Sequence, residues 1–259
     1  MSILVAPNGS DGVKGYRYLK VPVDYTHYTG KMGADLVEWL GENGLEWDGF
    51  WTGAYDNEAQ AIAKLFQDHG VPVIVDVDDY FDEVPKGNQA HVSWYGNKKK
   101  NYRAMLADAD HRVASTPFLA ETYDCKVAPN FVTHEEWDWP QRERHDDSVV
   151  LLHCGSVNRA EDYLAQEAAF RRFLEEPKTK VVFMGWMPAW ARDYEPGKVV
   201  FCRWVEYEKY NRMMRWLAPD ILVSPLEHNN FNLAKSNIKW LESAMVGAAF
   251  VGERWGEYE

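Results

Sequence analysis

The run EAQAIAKLFQDHGVPVIVDVDD, residues 58–79, changes its hydrophobic period halfway along, and that change decides the fold. Over residues 58–70 the apolar positions recur at three- and four-residue steps and end at Gly70, as in an amphipathic helix closed by glycine. The next residues, VPVIVDV, form an apolar stretch too short for a helix, which reads as a buried strand with acids at its C-terminal end. LEWDGFWTG (45–53) precedes them as another strand with its exit turn, so the order is strand, helix, strand.

Working outward, the same alternation continues. SILVA (2–6) is a strand that enters the glycine-bearing loop PNGSDGVKG, and GADLVEWLGENG (33–44) is a helix. KNYRAMLADA (100–109) is a helix, HRVAST a strand, PFLAETY a short helix and KVAPN a strand. WDWPQRERHDD (137–147) then combines proline, dense charge and no periodicity, as a linker does. After it come the strand VVLLHCGS, the long helix AEDYLAQEAAFRRFLEEP, the strands KVVFMGW and KVVFCRWV, the helix YEKYNRMMRWLAP and the strand DILVSPLE (220–227). This pattern predicts an α/β protein of two Rossmann-like, doubly wound domains, 1–140 and 141–259, a division that suits 259 residues.

Composition excludes several classes. The net charge of -12 opposes unspecific attraction to nucleic acid or anionic lipid. No apolar run approaches the length of a membrane span and no signal-like opening is present, so a cytoplasmic chain without membrane insertion is expected. Cys125, Cys154 and Cys202 are too few and too far apart for a disulfide framework or a zinc site, and all three are expected to be reduced and buried. Twelve tryptophans and fourteen tyrosines supply surfaces that stack on sugars and bases, besides filling core.

Ligands of doubly wound domains bind where loops gather beyond the strands' C-terminal ends. In the second half these loops are CGSVNRAED (154–162), MGWMP (184–188), RWVEY (203–207) and EHNNFNLAKSN (227–237). A helix beginning near Ser236 would make an anion site, with Ser236 able to cap and Lys235 adding charge. Glu242 lies six residues after Ser236 and three after Lys239 on the apolar side of that helix, where a carboxylate needs a partner. Either it receives ribose hydroxyls of a ligand whose phosphates rest on the helix start, or it pairs with a neighbouring lysine.

The segment SPLEHNNFNLAKSNIKWLESAMVGAAFV (224–251) resembles the donor-binding motif of GT-B glycosyltransferases related to family 4. GYRYLKVP, VIVDVDDYFDEVP, ADADHRVASTPFLAETY, VAPNFV and CGSVNRAED resemble further segments of these proteins in the same order. The resemblance implies two domains facing a cleft and transfer of a sugar from a nucleoside-diphosphate sugar to an acceptor hydroxyl, without metal or other cofactor. It assigns donor binding to Gly155, Ser156, Arg159, Asn232, Lys235, Ser236, Asn237, Lys239 and Glu242, with Trp204 and Val205 around the base. The earlier of the family's two glutamates falls at Ala234, and Ser156 stands where an arginine is common. The family's usual long C-terminal crossover helices are expected to be lacking, since the sequence stops just past a strand; a compact, bacteriophage-type member is one reading.

Other motifs leave alternatives open. Asp78 or Asp79 could orient or deprotonate the acceptor, as could His91, while DVDD could instead hold a hard cation in a metal-dependent enzyme acting on phosphates. Gly9, Gly12 and Gly15 have the wrong spacing for a dinucleotide fingerprint, so Gly12, Lys14, Gly15, Tyr16 and Arg17 read as an acceptor or phosphate loop. NKKKNYR (97–103) offers Lys98, Lys99, Lys100 and Arg103 to a phosphate backbone, as for a hydroxylated base in phage DNA, or is a solvated helix start beside a saccharide acceptor. A non-catalytic nucleotide-sugar-binding subunit is the remaining alternative, and a second copy of the chain could cover an apolar C-terminal face as a homodimer.

Overall fold

A computed structural model describes residues 2–6, 24–28, 32–88, 91–92, 97–144 and 146–259. By its contacts the chain forms two compact units. Met1–Val84, Val92–Asn130 and Ala234–Ser236 make the first, and Pro85–His91, Phe131–Leu233 and Asn237–Glu259 the second.

In the first unit, β1 (Ser2–Ala6), β2 (Asp24–His27), β3 (Gly49–Thr52), β4 (Val73–Val77), β5 (His111–Ala114) and β6 (Lys126–Val127) form a parallel sheet in the order β2-β1-β3-β4-β5-β6. Helices α1 (Ala34–Asn43), α2 (Asn57–Asp68), α3 (Asn97–Asp108) and α4 (Pro117–Tyr123) provide crossovers among the described residues. The opening quotation becomes α2 and β4. Asp56 accepts from the Ala59 amide at 2.8 Å and starts α2, whose Ile62, Ala63 and Phe66 turn inward, with Phe66 stacked on Phe50 at 4.4 Å. The strand β2, DYTH, was not expected, because it has no apolar run to mark it. Among the described residues it pairs only with β1, and an edge strand needs less apolar surface than a central one. α3 also starts earlier than its apolar spacing suggests and takes in Lys98–Lys100.

The second unit has β7 (Val149–Gly155), β8 (Thr179–Gly185), β9 (Val199–Cys202), β10 (Ile221–Ser224) and β11 (Ala249–Gly252), all parallel, in the order β11-β10-β7-β8-β9. Strand order therefore reverses between β7 and β10, the place where doubly wound sheets open a crevice. Around the sheet run α5 (His134–Trp137), α6 (Ala160–Leu164), α7 (Glu167–Glu175), α8 (Tyr207–Leu217), α9 (Asn230–Leu233) and α10 (Ile238–Val246).

Three local expectations are corrected. The stretch 160–177 is two helices, broken at Gln166, whose amide turns to the Tyr163 carbonyl three residues back, as at a helix end that tightens. Trp137, inside the charged stretch 137–147, is only 2% exposed in the core, edge-on to Tyr210, and Arg144 binds Asp220 at 2.6 Å. Of the cysteines only Cys154 is buried; Cys125 and Cys202 are half-buried, and all three are free thiols.

Candidate functional site

An interlocked polar group lies beyond the ends of β7 and β10, where the strand order reverses. Arg159 follows the end of β7 and donates through Nε to Asp162 at 2.7 Å and through Nη2 to the Pro225 carbonyl, just past β10, at 3.0 Å. Asp162 also accepts from the Glu227 amide at 2.9 Å and from Asn232 Nδ2 at 2.7 Å. One carboxylate thus orients a guanidinium and ties the 227–232 loop to the helix after β7. The Arg159 side chain keeps 19% of its surface exposed.

A second group lies on α10. Glu242 is fully buried and its Oε2 accepts from Tyr210 and from Lys239 Nζ, both at 2.7 Å. Lys239 Nζ also donates to the Tyr210 hydroxyl at 2.9 Å, which is 3.0 Å from Cys154 Sγ. Three-residue spacing on a helix puts Lys239 over Glu242, and a buried carboxylate requires such a partner. The question raised by an acid on an apolar helix face is answered: the carboxyl is covered by Lys239 and Tyr210, while the Lys239 side chain remains 18% exposed.

His153 on β7 lies under this site with no exposed surface, its ring 3.5 Å from that of Tyr163, and neither ring nitrogen has a hydrogen-bond partner among the described residues. Its Nε2 comes within 3.3 Å of where a side chain on Gly155 would begin. Burial, with the nearby charges of Arg159 and Lys239, holds its pKa well below the usual 6.5, so it is neutral. The unfolded chain then binds the extra proton, and stability must fall as pH drops below about 6.5, by roughly 1.4 kcal/mol per pH unit until the folded-state pKa is reached. His153→Phe is expected to flatten that part of the pH–stability curve, measured by urea unfolding between pH 5 and pH 8 (about one assay per half unit). An equally steep curve in the variant would remove His153 from the account.

Gly185 ends β8 with φ at +94°, and a Cβ there would meet the Gly155 carbonyl oxygen at 2.6 Å and Trp204 Cε3 at 2.9 Å. Only glycine allows this approach, which seats the Trp204 indole against the backbone. Trp204 remains 57% exposed, beside half-buried Val205.

The expected helix start is shifted. α10 begins at Ile238 with Asn237 as its N-cap residue, and no side chain caps it. Ser236 is not the cap, because its hydroxyl accepts from Asn130 Nδ2 at 2.7 Å, and Lys235 is paired with Asp79. Residues 234–236 belong by contacts to the first unit, where Thr116 Oγ1 also donates to the Ala234 carbonyl. Ser156 precedes a 3₁₀ turn without capping it.

Also in the first unit, Asp76 is buried in β4, whereas Asp78 and Asp79 follow the strand and are half-buried. Among the described residues no three His, Cys, Asp or Glu side chains gather as a metal-ligand set. Lys99 and Arg103 on α3 both bind Asp82, at 2.9 and 2.6 Å, while Lys98 and Lys100 are exposed. His91 is half-buried, its amide bonded to the Asn88 carbonyl, and belongs by contacts to the second unit. Gly12, Lys14, Gly15, Tyr16 and Arg17 lie outside the described residues. A surface groove of about 330 Å³ between α2 and α3, lined by Gln60, Lys64, Gln67 and Asp108 among others, is on the helices rather than at the strand ends.

Asp162, Tyr210 and His153 were not singled out from sequence. Asp162 had a signal in its three-residue spacing from Arg159, but Tyr210 and His153 looked like ordinary members of a helix and an apolar strand.

No family model and no curated protein matches the chain. Solved structures do. The structure of Anabaena Alr3699/HepE in complex with UDP and glucose superposes with a TM-score of 0.59 over 99% of this chain and 81% of that one, at 12% identity. The catalytic domain of Starch Synthase IV from Arabidopsis thaliana bound to ADP and acarbose gives 0.56 over 86% of this chain and 60% of that one, at 8% identity. A putative UDP-N-acetylglucosamine 2-epimerase from Listeria monocytogenes gives 0.54 over 96% and 78%, at 9% identity. At such identities the likeness is one of fold: the chain has the two parallel-sheet α/β architecture of GT-B glycosyltransferases. Among the described residues no helix is long and apolar enough to cross a membrane.

Proposed function

We propose that the chain is a glycosyltransferase that moves a sugar from a nucleoside-diphosphate sugar to an acceptor hydroxyl. The observation that carries this reading is that Arg159 and Lys239, each part-exposed and each oriented by its own carboxylate, both act on His153 at the point where strand order reverses. An oriented cation pair in a sheltered crevice stabilises the charge that develops on a departing nucleoside diphosphate. The fold supports the reading, because two of the similar structures hold UDP or ADP. Fold alone does not choose the reaction, since a putative epimerase shares it.

In this reading the diphosphate lies against Gly155, Arg159 and Lys239, rather than on Lys235 and Ser236, which are engaged by Asp79 and Asn130. Glu242 acts through Lys239, holding the ammonium toward the ligand. The exposed indole of Trp204 stacks on the base. Catalysis is metal-independent, with the two cations in place of a metal ion. Asp78, Asp79 and His91 are the candidate bases on the acceptor side. A saccharide acceptor is favoured over DNA: Asp82 engages two of the four cations of the basic run and offsets one of their charges, and the chain carries a net charge of -12.

The test uses nucleotide protection and turnover together. UDP, ADP or GDP at a hundredfold excess over Kd should raise apparent stability by about 2.7 kcal/mol in a thermal melt. Trp204→Ala, a change at the surface, should weaken nucleotide affinity by roughly tenfold, within the 1–3 kcal/mol range of base–aromatic stacking. With a panel of nucleotide sugars, a labelled sugar should appear on a saccharide acceptor. Protection without transfer would identify a non-catalytic binding subunit, interconversion of the donor sugar an epimerase, and transfer to hydroxylated DNA that fades steeply with salt the DNA acceptor.

A further inference from the structure

The segment after β11 is fastened to the loop between β10 and α9 by several contacts. Glu253 pairs with His228 at 3.0 Å, and the Trp255 ring stacks on His228 at 4.4 Å with 9° between planes. Trp255 Nε1 donates to the Asn229 carbonyl at 3.3 Å. Gly256, at φ +60°, passes so close to Leu233 that a Cβ would stand 2.7 Å from its carbonyl oxygen. A single 3₁₀ turn, Gly256–Tyr258, follows. These contacts fix the place of Tyr258, whose ring lies 5.0 Å from that of Phe250. Its hydroxyl lies beside Ser224, the last residue of β10, and within electrostatic reach of Arg159, Lys239 and Glu242.

We infer that Tyr258 is a ligand-contacting residue of the donor site, its phenol donating a hydrogen bond to an oxygen of the diphosphate that Arg159 and Lys239 attract. This rests on the nucleotide-sugar reading above. Two features separate a contact from a plug. Each cation already has a carboxylate partner, so the phenol is not needed to compensate charge. Withdrawing the segment that carries it would also break the stack of Trp255 on His228 and the Trp255 hydrogen bond, and turning the phenol alone would give up its contact with Phe250, so a ligand gains more by accepting from the phenol in place than by displacing it. Burial raises the phenol pKa above its ordinary value, and the group remains a protonated donor at neutral pH.

The experiment is calorimetric titration of UDP, and of uridine as a phosphate-free control, into the wild type and Tyr258→Phe, which keeps the ring on Phe250. The expected result is UDP binding weaker by about tenfold or more, as for loss of a hydrogen bond to a charged group, with uridine binding and the melting midpoint unchanged. Equal UDP affinity in the two proteins, or equal losses for UDP and uridine, would overturn the inference and leave the donor site standing. Tighter UDP binding in the variant would make Tyr258 a plug. If the wild type binds no nucleoside diphosphate, ADP and GDP included, the donor-site reading fails and the inference fails with it.

Discussion

Alanine at position 242 is expected to destabilise the second unit by about 3 kcal/mol, the lower end of the range for breaking a buried ion pair by removing one partner. The lower end applies because Lys239 is 18% exposed and can recover some hydration once its carboxylate is gone. Tyr210 loses its acceptor in the same step. Glu242→Gln keeps the shape and one acceptor oxygen, so its loss should be smaller. Lys239→Met with Glu242→Leu, which removes both charges, should recover much of the stability without restoring nucleotide binding. Urea unfolding and UDP titration on the same four proteins check this. If Glu242→Ala unfolds at the wild-type midpoint, the carboxylate is not the anchor of Lys239.

The other large effect concerns Asp162. Replacing it by alanine removes the acceptor shared by Arg159 Nε, the Glu227 amide and Asn232 Nδ2, of which Asn232 Nδ2 keeps the Glu227 carbonyl at 3.0 Å. A loss of about 3 kcal/mol is expected, the guanidinium left without a counter-charge being the costliest of the three, and the lower end of the range applies again because Arg159 is 19% exposed and keeps the Pro225 carbonyl. Nucleotide affinity should fall as well, because Arg159 is no longer aimed and the 227–232 loop is untied from α6. Asp162→Asn presents an amide to donors and should recover little. Fluorescence-monitored urea unfolding gives the stability term and UDP titration the binding term. Loss of stability with UDP affinity intact would separate Asp162 from the proposed site.

Both predictions depend on residues whose roles had different visibility in the sequence. Glu242 was conspicuous as an acid on an apolar helix face, and both of its readings, ribose contact or lysine partner, were open. The structure puts Lys239 and Tyr210 on that carboxylate. Lys235 and Ser236 looked equally suited to an anion, but Asp79 and Asn130 engage them. Asp162 and Asn232 are 70 residues apart, and Lys235 and Asp79 are 156 apart. No local spacing announces such pairs.

What the sequence determined by itself was the alternation of helix and strand periods, and hence two parallel α/β units with polar loops at the strand ends. Period is a local property, written in each ten-residue stretch by which side chains must leave water. The tertiary structure decided which polar groups in those loops are satisfied by one another and which are left facing outward. It also split the helix at Gln166, drew Trp137 into the core and packed Tyr258 against Phe250. Those outcomes depend on crossovers that join residues remote in the chain, and on the cost of burying any charge whose partner does not arrive with it.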